Sequence, residues 1–345
     1  MSEPTRSERF LRACRGLPVD RPPVWLMRQA GRYLPEYRAA RAGVSFLEAC
    51  RDVDRAVEIS LQPLRLVGTE AVILFSDIFI PVLGMGVDLD FRPGPVIAQP
   101  IRTLADVEKL AVSDPRGSVP YVFEILRRLR TELEAEQVPL LGFAGAPFTL
   151  AAYLVEGKGS KDFAALKRLM YCEPAVLHAL LERLTEMTID YLNAQIEAGA
   201  QAVQLFDTWA GLLSAADYRE WILPTHQAIA RRLNRDAAPL ILYVNGGAHV
   251  LDAMAESGAD VLSLDWRVEL ADAARRVGRR VALQGNLDPC ALAAPPERIA
   301  AWVRELCEAG RAARGHVLNL GHGCLPETPV AGVRAFTDAA RKLTK

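Results

Sequence analysis

The sequence predicts a single (β/α)8 barrel extending over residues 1–345, with rim insertions in its first half. Three observations predict it. Short apolar runs bounded by turn residues recur eight times, amphipathic helical segments separate most of them, and ionisable residues collect where the runs end. The runs are nearly continuous in apolar residues instead of alternating, as parallel strands buried on both faces should be.

The first run is PPVWLM near Val24, and it stops at Arg28. The second, AVILFS from Ala71, follows the helical SLQPLRLVG and runs into Ser76 and Asp77. The third, VPLLGFAG from Val138, ends at Gly145. QAVQLF from Gln201 follows DYLNAQIEAGA and ends in Asp207 and Thr208. PLILYV from Pro239 follows HQAIARRLNR and ends in Asn245 and Gly246. DVLSLD from Asp260 follows HVLDAMAESGA and ends at Asp265. RVALQG from Arg280 runs into Asn286 and Asp288. HVLNLG from His316 follows ERIAAWVRELCEAG and ends at His322, between Gly321 and Gly323. Several helical segments close on Gly, a common helix terminator. Alternating strands and helices imply a parallel sheet, and eight units favour a closed barrel over an open doubly wound sheet. The segment MGVDLDFRPGPVIAQP from Met85 is rich in Gly and Pro and reads as a rim excursion, a hairpin or lid. AVSDPRGSVP reads as a surface connector, not a domain boundary.

Composition narrows the function classes. Half the residues are hydrophobic, enough for a sizeable core, and 41 basic residues nearly balance 42 acidic ones. That balance gives no general field for nucleic acid or a membrane surface, so anion binding must be local. Six cysteines show no CxxC pair, which argues against a disulfide framework or a structural zinc knuckle. The N-terminal MSEPTRSERF has no apolar signal region, and the most apolar stretch is interrupted by Asp77 and Pro81. The expectation is a soluble cytoplasmic protein of a reducing compartment.

In such barrels the chemistry sits at strand ends. Arg28 and Arg32 lie four residues apart beyond the first strand, on one face if the turn is helical. Guanidinium groups grip carboxylates bidentately. Gly31 permits close approach, and the amides of Gln29, Ala30 and Gly31 could add donors. The competing reading is a surface pair bridging Glu36; the strand-end position favours the site. Asp77 stands between two apolar runs, where a carboxylate is costly without a cationic or N–H partner. It reads either as a turn cap or as a preorganised charge that stabilises a cation developing on a substrate. His322, flanked by glycines, reads as an imidazole at the rim or a structural histidine. Tyr153 and Thr208 are weaker candidates, a core tyrosine near a helix start and an N-cap being the alternatives. VEGKGSKDF lacks the GxxxxGK-Ser/Thr spacing of a phosphate loop and reads as a flexible loop, with Lys158 near the rim. His178, His226, His249 and His316 show no metal-ligand spacing.

These residues carry a resemblance. PVWLMRQAGRYLPEYR, FSDI, GFAGAPFTLAAYLVEG, QLFDTWAG, LDW, LQGNLDP and LGHG, in that order across nearly the whole chain, resemble the uroporphyrinogen decarboxylase family. The resemblance implies a (β/α)8 barrel, a homodimer with facing clefts, and no metal or organic cofactor. It implies a tetrapyrrole substrate with eight carboxylates, whose four acetate arms become methyl groups as CO2 leaves, giving coproporphyrinogen. By the resemblance, Arg28 and Arg32 pair with substrate carboxylates, Gln29, Ala30 and Gly31 line the same turn, and Asp77 accepts hydrogen bonds from pyrrole N–H groups. Tyr153, Thr208 and His322 complete the pocket. The proton donor is Arg28 or a bound water. Where some relatives carry Ser and His after the fourth strand, this chain has Thr208 and Trp209; the hydroxyl is kept and the imidazole is not.

Two other readings compete. Zinc methyltransferases resemble this chain in layout, but Tyr243 and Asn245 stand where their His and Cys would be, and one thiolate at Cys324 does not hold zinc. A porphyrin carrier without catalysis would keep the arginines but would not need Asp77.

Overall fold

The computed structural model of the chain describes residues 3–91 and 94–343. Its main sheet is all parallel and runs in chain order: β2 (Val72–Ile73), β3 (Leu140–Gly145), β4 (Ala202–Asp207), β5 (Leu240–Val244), β6 (Val261–Leu264), β7 (Ala282–Leu287) and β8 (His316–Leu320). Neighbours pair in register, for example Phe143 with Gln204 and Asn286 with Asn319. The eighth strand position, β1, is a single parallel bridge between Val24 and Leu318. It closes the cylinder. Trp25 N–H donates to Leu318 O, Leu318 N–H to Pro23 O, and Glu70 N–H, just before β2, to Val24 O.

All eight predicted runs are therefore barrel positions, although β1 and β2 are shorter than their apolar runs. Beyond Ile73 only Leu74 N–H, bonded to Leu141 O, extends the ladder before the chain turns at Ser76. Strands β3, β5, β6, β7 and β8 are buried at every residue. One face looks into the barrel and the other lies under the helices. The inward set includes Ala71, Leu141, Ala202, Ile241, Val261, Ala282 and Val317, and Phe10, Ala13 and Cys14 of helix Arg6–Cys14 plug the base beneath them. Above this layer the interior turns polar. Gln284 Nε2 donates to Gln204 Oε1 (2.9 Å) and Ser263 Oγ (2.8 Å), and Trp25 Nε1 donates to Gln284 Oε1 (2.9 Å). The Gln284 amide and the Trp25 indole N–H are thus matched, so these groups can be buried at little cost.

Local signals explain the helix ends. Thr5 with Glu8, and Ser45 with Glu48, form capping boxes. Gly68, after helix Val53–Val67, has a left-handed backbone, as expected of a terminating glycine. Gly310 does not terminate in that way. It is the last residue of helix Pro296–Gly310, and a side chain there would strike the His316 ring. The excursion after Met85 is a hairpin, Leu89–Phe91 paired antiparallel with Pro95–Ile97. It is tied to the loop after helix Pro147–Glu156 by Ile97 N–H to Gly157 O and a bridge from Val96 to Lys158. Residues 115–118 of the connector form a short helix. Among the described residues, no helix is long and apolar enough to cross a membrane.

Candidate functional site

The C-terminal ends of the strands open on a cavity of about 700 Å³. Arg28, Gln29, Ala30, Gly31, Arg32, Asp77, Tyr153, Thr208 and His322 all line it. The structure thus brings every sequence-derived candidate to one place. Asp207, Asp265, Asn286 and Asp288, which also end strands, do other work. Asp265 accepts from Gly247 N–H and Arg267 N–H, Asn286 Nδ2 donates to the carbonyls of Asp265 and Val268, and Asp288 caps a turn at Cys290.

Arg28 has a left-handed backbone with φ of 53°. For a residue with a Cβ this costs about 1–2 kcal/mol, so the surroundings must hold it. They do so on both sides. Before it, Met27 N–H donates to Asn319 Oδ1 (3.0 Å) and Met27 O accepts from Cys324 N–H. After it, the Gln29 side chain is buried between Leu26 N–H (3.2 Å) and Ala71 O (2.9 Å), and Tyr33 Oη donates to Gln29 O (2.8 Å). This corrects one expectation. Gln29 N–H donates to Leu26 O and its amide side chain is spent on backbone, so Gln29 shapes the turn and offers the cavity no donor. The Arg28 side chain itself is exposed to the cavity. Among the described residues, neither Arg28 nor Arg32 has an ion-pair partner, Glu36 included.

Sequence reasoning missed two further cations. Arg38 and Arg41 also line the cavity. Arg38 belongs to helix Pro35–Ala40, and Arg41 follows three residues later on the same face. That spacing, read together with Arg28 and Arg32, was the available signal. Arg38 Nη1 donates to the carbonyls of Arg32 and Tyr33 (2.6 and 3.3 Å), and Arg41 lies 5.1 Å from the Phe46 ring centroid. Nε and Nη1 of Arg41 are buried without a hydrogen-bond partner among the described residues. Among the described residues, four guanidinium groups therefore face a single carboxylate, Asp77, in this cavity.

Asp77 is half-buried. Its Oδ1 accepts from Phe79 N–H (2.9 Å), so the turn-cap reading and the site reading describe one residue. Burial pushes its carboxyl up to about 6, opposed by the Phe79 N–H and by the positive charge of Arg28. Across the mouth, His322 is pushed down to about 4, chiefly by burial and then by Arg28 and Arg267, with Asp265 opposing. The imidazole is thus neutral near pH 7. Gly323 N–H donates to its Nδ1 (2.7 Å), and the Tyr243 and Trp266 rings stand edge-on to it at 6.1 and 6.3 Å.

Aromatic rings build the remaining wall. Tyr153 lies midway along helix Pro147–Glu156, edge-on to Phe79 (5.0 Å), Trp209 (6.1 Å) and Phe163 (6.2 Å). Burial raises its phenol above the ordinary range. Phe143, Phe206 and Tyr243 also line the cavity, with adjacent centroids 5.7 and 6.0 Å apart. The result is an apolar, ring-lined chamber with cations along one side and one half-buried acid. It suits a large ligand with an apolar body, an anionic fringe and a hydrogen-bond donor for the acid. Among the described residues, no three His, Cys, Asp or Glu side chains gather as a metal-binding group. Tyr243 Oη donates to Gly321 O (3.0 Å) and Asn245 Oδ1 (3.4 Å).

A family model described as uroporphyrinogen decarboxylase (URO-D) matches residues 5–343. A uroporphyrinogen decarboxylase of Pelobacter propionicus is 52% identical over 337 residues, covering 98% of this chain and 99% of the relative. One of Trichlorobacter lovleyi is 51% identical over 339 residues, with the same coverage. Among solved structures, a methyltransferase from Methanosarcina mazei matches with a TM-score of 0.84 at 26% identity, covering 99% of each chain.

Proposed function

The chain belongs to the uroporphyrinogen decarboxylase family, and from that premise we infer how its cavity performs the family's reaction. The activity is that of a carboxy-lyase: stepwise loss of CO2 from the four acetate arms of uroporphyrinogen, giving coproporphyrinogen. The methyltransferase reading is not favoured, because relatives at about 50% identity over nearly the full length are decarboxylases. A shared fold does not carry chemistry with it.

In our reading, Arg28, Arg32, Arg38 and Arg41 hold the carboxylate fringe of the tetrapyrrole, and Asp77 accepts hydrogen bonds from its pyrrole N–H groups. The single observation that carries this is the surplus of unpaired guanidinium charge around one half-buried carboxylate. Loss of CO2 from an acetate arm leaves an electron pair that needs a sink. Protonation of the pyrrole ring carbon makes the ring cationic and able to take that pair. A second proton then converts the exocyclic methylene to methyl and the ring carbon gives up the first proton, restoring the pyrrole, so each cycle consumes one proton net and releases one CO2. The fixed charge of Asp77 beside the ring nitrogens stabilises the cation as it forms. Arg28, at the edge of the ring, or a bound water delivers the first proton. The protonated pyrrole is itself the electron sink, and this scheme calls on no cofactor. Tyr153, Thr208 and neutral His322 supply the walls and polar contacts around the arms.

Homodimeric assembly and a cytoplasmic setting follow from the family resemblance and belong to the same proposal, as does a single domain over the whole chain. The test is anaerobic incubation with uroporphyrinogen followed by counting the carboxyl groups of the products. Products with seven down to four carboxyls support the reading. Tight binding without CO2 release supports a carrier instead.

A further inference from the structure

The chemistry above leaves one buried acid and one buried histidine unused. Asp207 ends β4 and is fully buried. The strand alternates, so Phe206 faces the cavity while Asp207 faces the helices behind it. Its Oδ1 accepts from Thr149 Oγ1 (2.7 Å), and its Oδ2 accepts from His226 Nε2 (2.9 Å). His226, also buried, accepts at Nδ1 from Tyr218 Oη (3.1 Å). Thr149 Oγ1 in turn accepts from Trp209 N–H (3.2 Å). With a hydrogen on His226 Nε2, every donor in the chain points one way: Tyr218 to His226 to Asp207, and Trp209 to Thr149 to Asp207.

The placement of these groups is informative. Thr149 sits one turn before Tyr153 on helix Pro147–Glu156, so the two share a face. Trp209 directly follows Thr208. His226 lies on helix Leu223–Arg232, and Tyr218 opens the π-helical turn before it. Asp207 is therefore a hub that ties the end of β4 to two separate helices. Buried polar networks contribute little net stability compared with apolar packing, so stability alone is a weak reason to keep one here. What this one fixes is direction: the turn bearing Thr208 and Trp209 is bonded to the helix bearing Tyr153.

We propose that Asp207, His226 and Thr149 form a positioning unit that, through the Trp209 backbone N–H, sets Thr208 and Tyr153 as one wall of the substrate cavity. None of the three touches the cavity; they act through residues that do. The proposal rests on the reading of Thr208 and Tyr153 as substrate-facing residues.

Thr149→Val removes the hydroxyl and keeps the shape, and Thr149→Ser restores the hydroxyl. Both are assayed for decarboxylation of uroporphyrinogen beside the parent and Asp77→Asn, with thermal melting as the check on folding. The expected result is a loss in kcat/KM of about tenfold or more for Thr149→Val, since small misplacements of binding groups are costly, with the larger part in KM. Thr149→Ser should lie within about twofold of the parent. Should Thr149→Val fail to fold, His226→Gln, which keeps a donor towards Asp207, is compared with His226→Leu, which does not. Parent kinetics for Thr149→Val, or an equal loss for Val and Ser, would overturn the proposal. An inactive Asp77→Asn beside a normal Thr149→Val removes the positioning unit and leaves the site reading standing. An active Asp77→Asn beside a loss that Ser repairs does the reverse.

Discussion

The side chain of Arg28 lies directly on the backbone of Gly323: any Cβ at position 323 would occupy the space of the arginine's Cβ, Cγ and Cδ. The glycine next to His322 thus exists to let a cation pass. The same contact places Arg28 against the His322 turn, and Cys324 N–H, bonded to Met27 O, locks the two segments together.

Gly323→Ala should therefore displace Arg28 without unfolding the barrel. A misplacement of about 1 Å at a substrate-gripping group can cost up to a hundredfold, so kcat/KM should fall by at least about tenfold. Steady-state decarboxylation measured beside a melting curve checks this. Unchanged kinetics would mean that the Arg28 stem does not need its present path.

Replacing Arg28 or Arg41 by Lys keeps the charge and removes the planar fork. Charge-assisted hydrogen bonds contribute about 1.5–3 kcal/mol, so each change should raise KM about ten- to a hundredfold. A salt titration reads the same interactions differently. KM of the parent should rise as ionic strength increases, and less steeply in a variant lacking one arginine.

The raised carboxyl of Asp77 fixes two pH effects. In the free enzyme it titrates near 6, so kcat/KM should fall as pH drops through 6, and Asp77→Asn should lose that limb. The stability effect has the opposite sense. A carboxyl raised from 3.8 to about 6 gives stability that is present below 3.8 and lost as pH rises through 6. At pH 7–8 the charged form is a burden of about 1–3 kcal/mol. Asp77→Asn should melt higher than the parent there, with the difference vanishing below about pH 4. Equal melting temperatures at pH 8 would contradict the burial of this charge.

Barrel closure hangs on Glu70. Its carboxylate accepts from Arg21 at both oxygens (2.6 and 2.7 Å), lies 3.5 Å from Arg9 Nη1, and accepts from Val24 N–H (3.2 Å). Glu70 and Arg9 are both buried, and β1 has only one bridge of its own. Glu70→Gln strands Arg21, whose ion-pair partner it is, while Arg9 keeps Asp20 and Glu3, and breaking such a buried pair costs about 3–5 kcal/mol. Chemical denaturation should show that loss, while folded protein keeps the parent kcat at 25 °C.

How much of this was legible in the sequence depends on what kind of interaction decides each feature. Continuous apolar runs report strands buried on both faces, so all eight barrel positions could be read off, including the reduced ones at Val24 and Val72. The site could be read because strand ends carry it, and the motif around Arg28 was specific. Long-range partners were not legible. Gln29 reads as a polar residue near a ligand, yet its amide is consumed by Leu26 and Ala71, the latter 42 residues away. Asp207 reads as a rim acid, but strand alternation turns it towards His226 and Thr149. Gly310 reads as a helix stop and is instead a space left for His316. In each case the deciding neighbour comes from another element, and local pattern cannot name it.

Asp77 carries the central claim, and single-turnover release of CO2 from uroporphyrinogen tests it most directly. Asp77→Asn, folded and still binding the substrate, should decarboxylate about a hundredfold or more slowly than the parent, because one electrostatic partner of the transition state is gone. Release of CO2 near the parent rate would contradict the account.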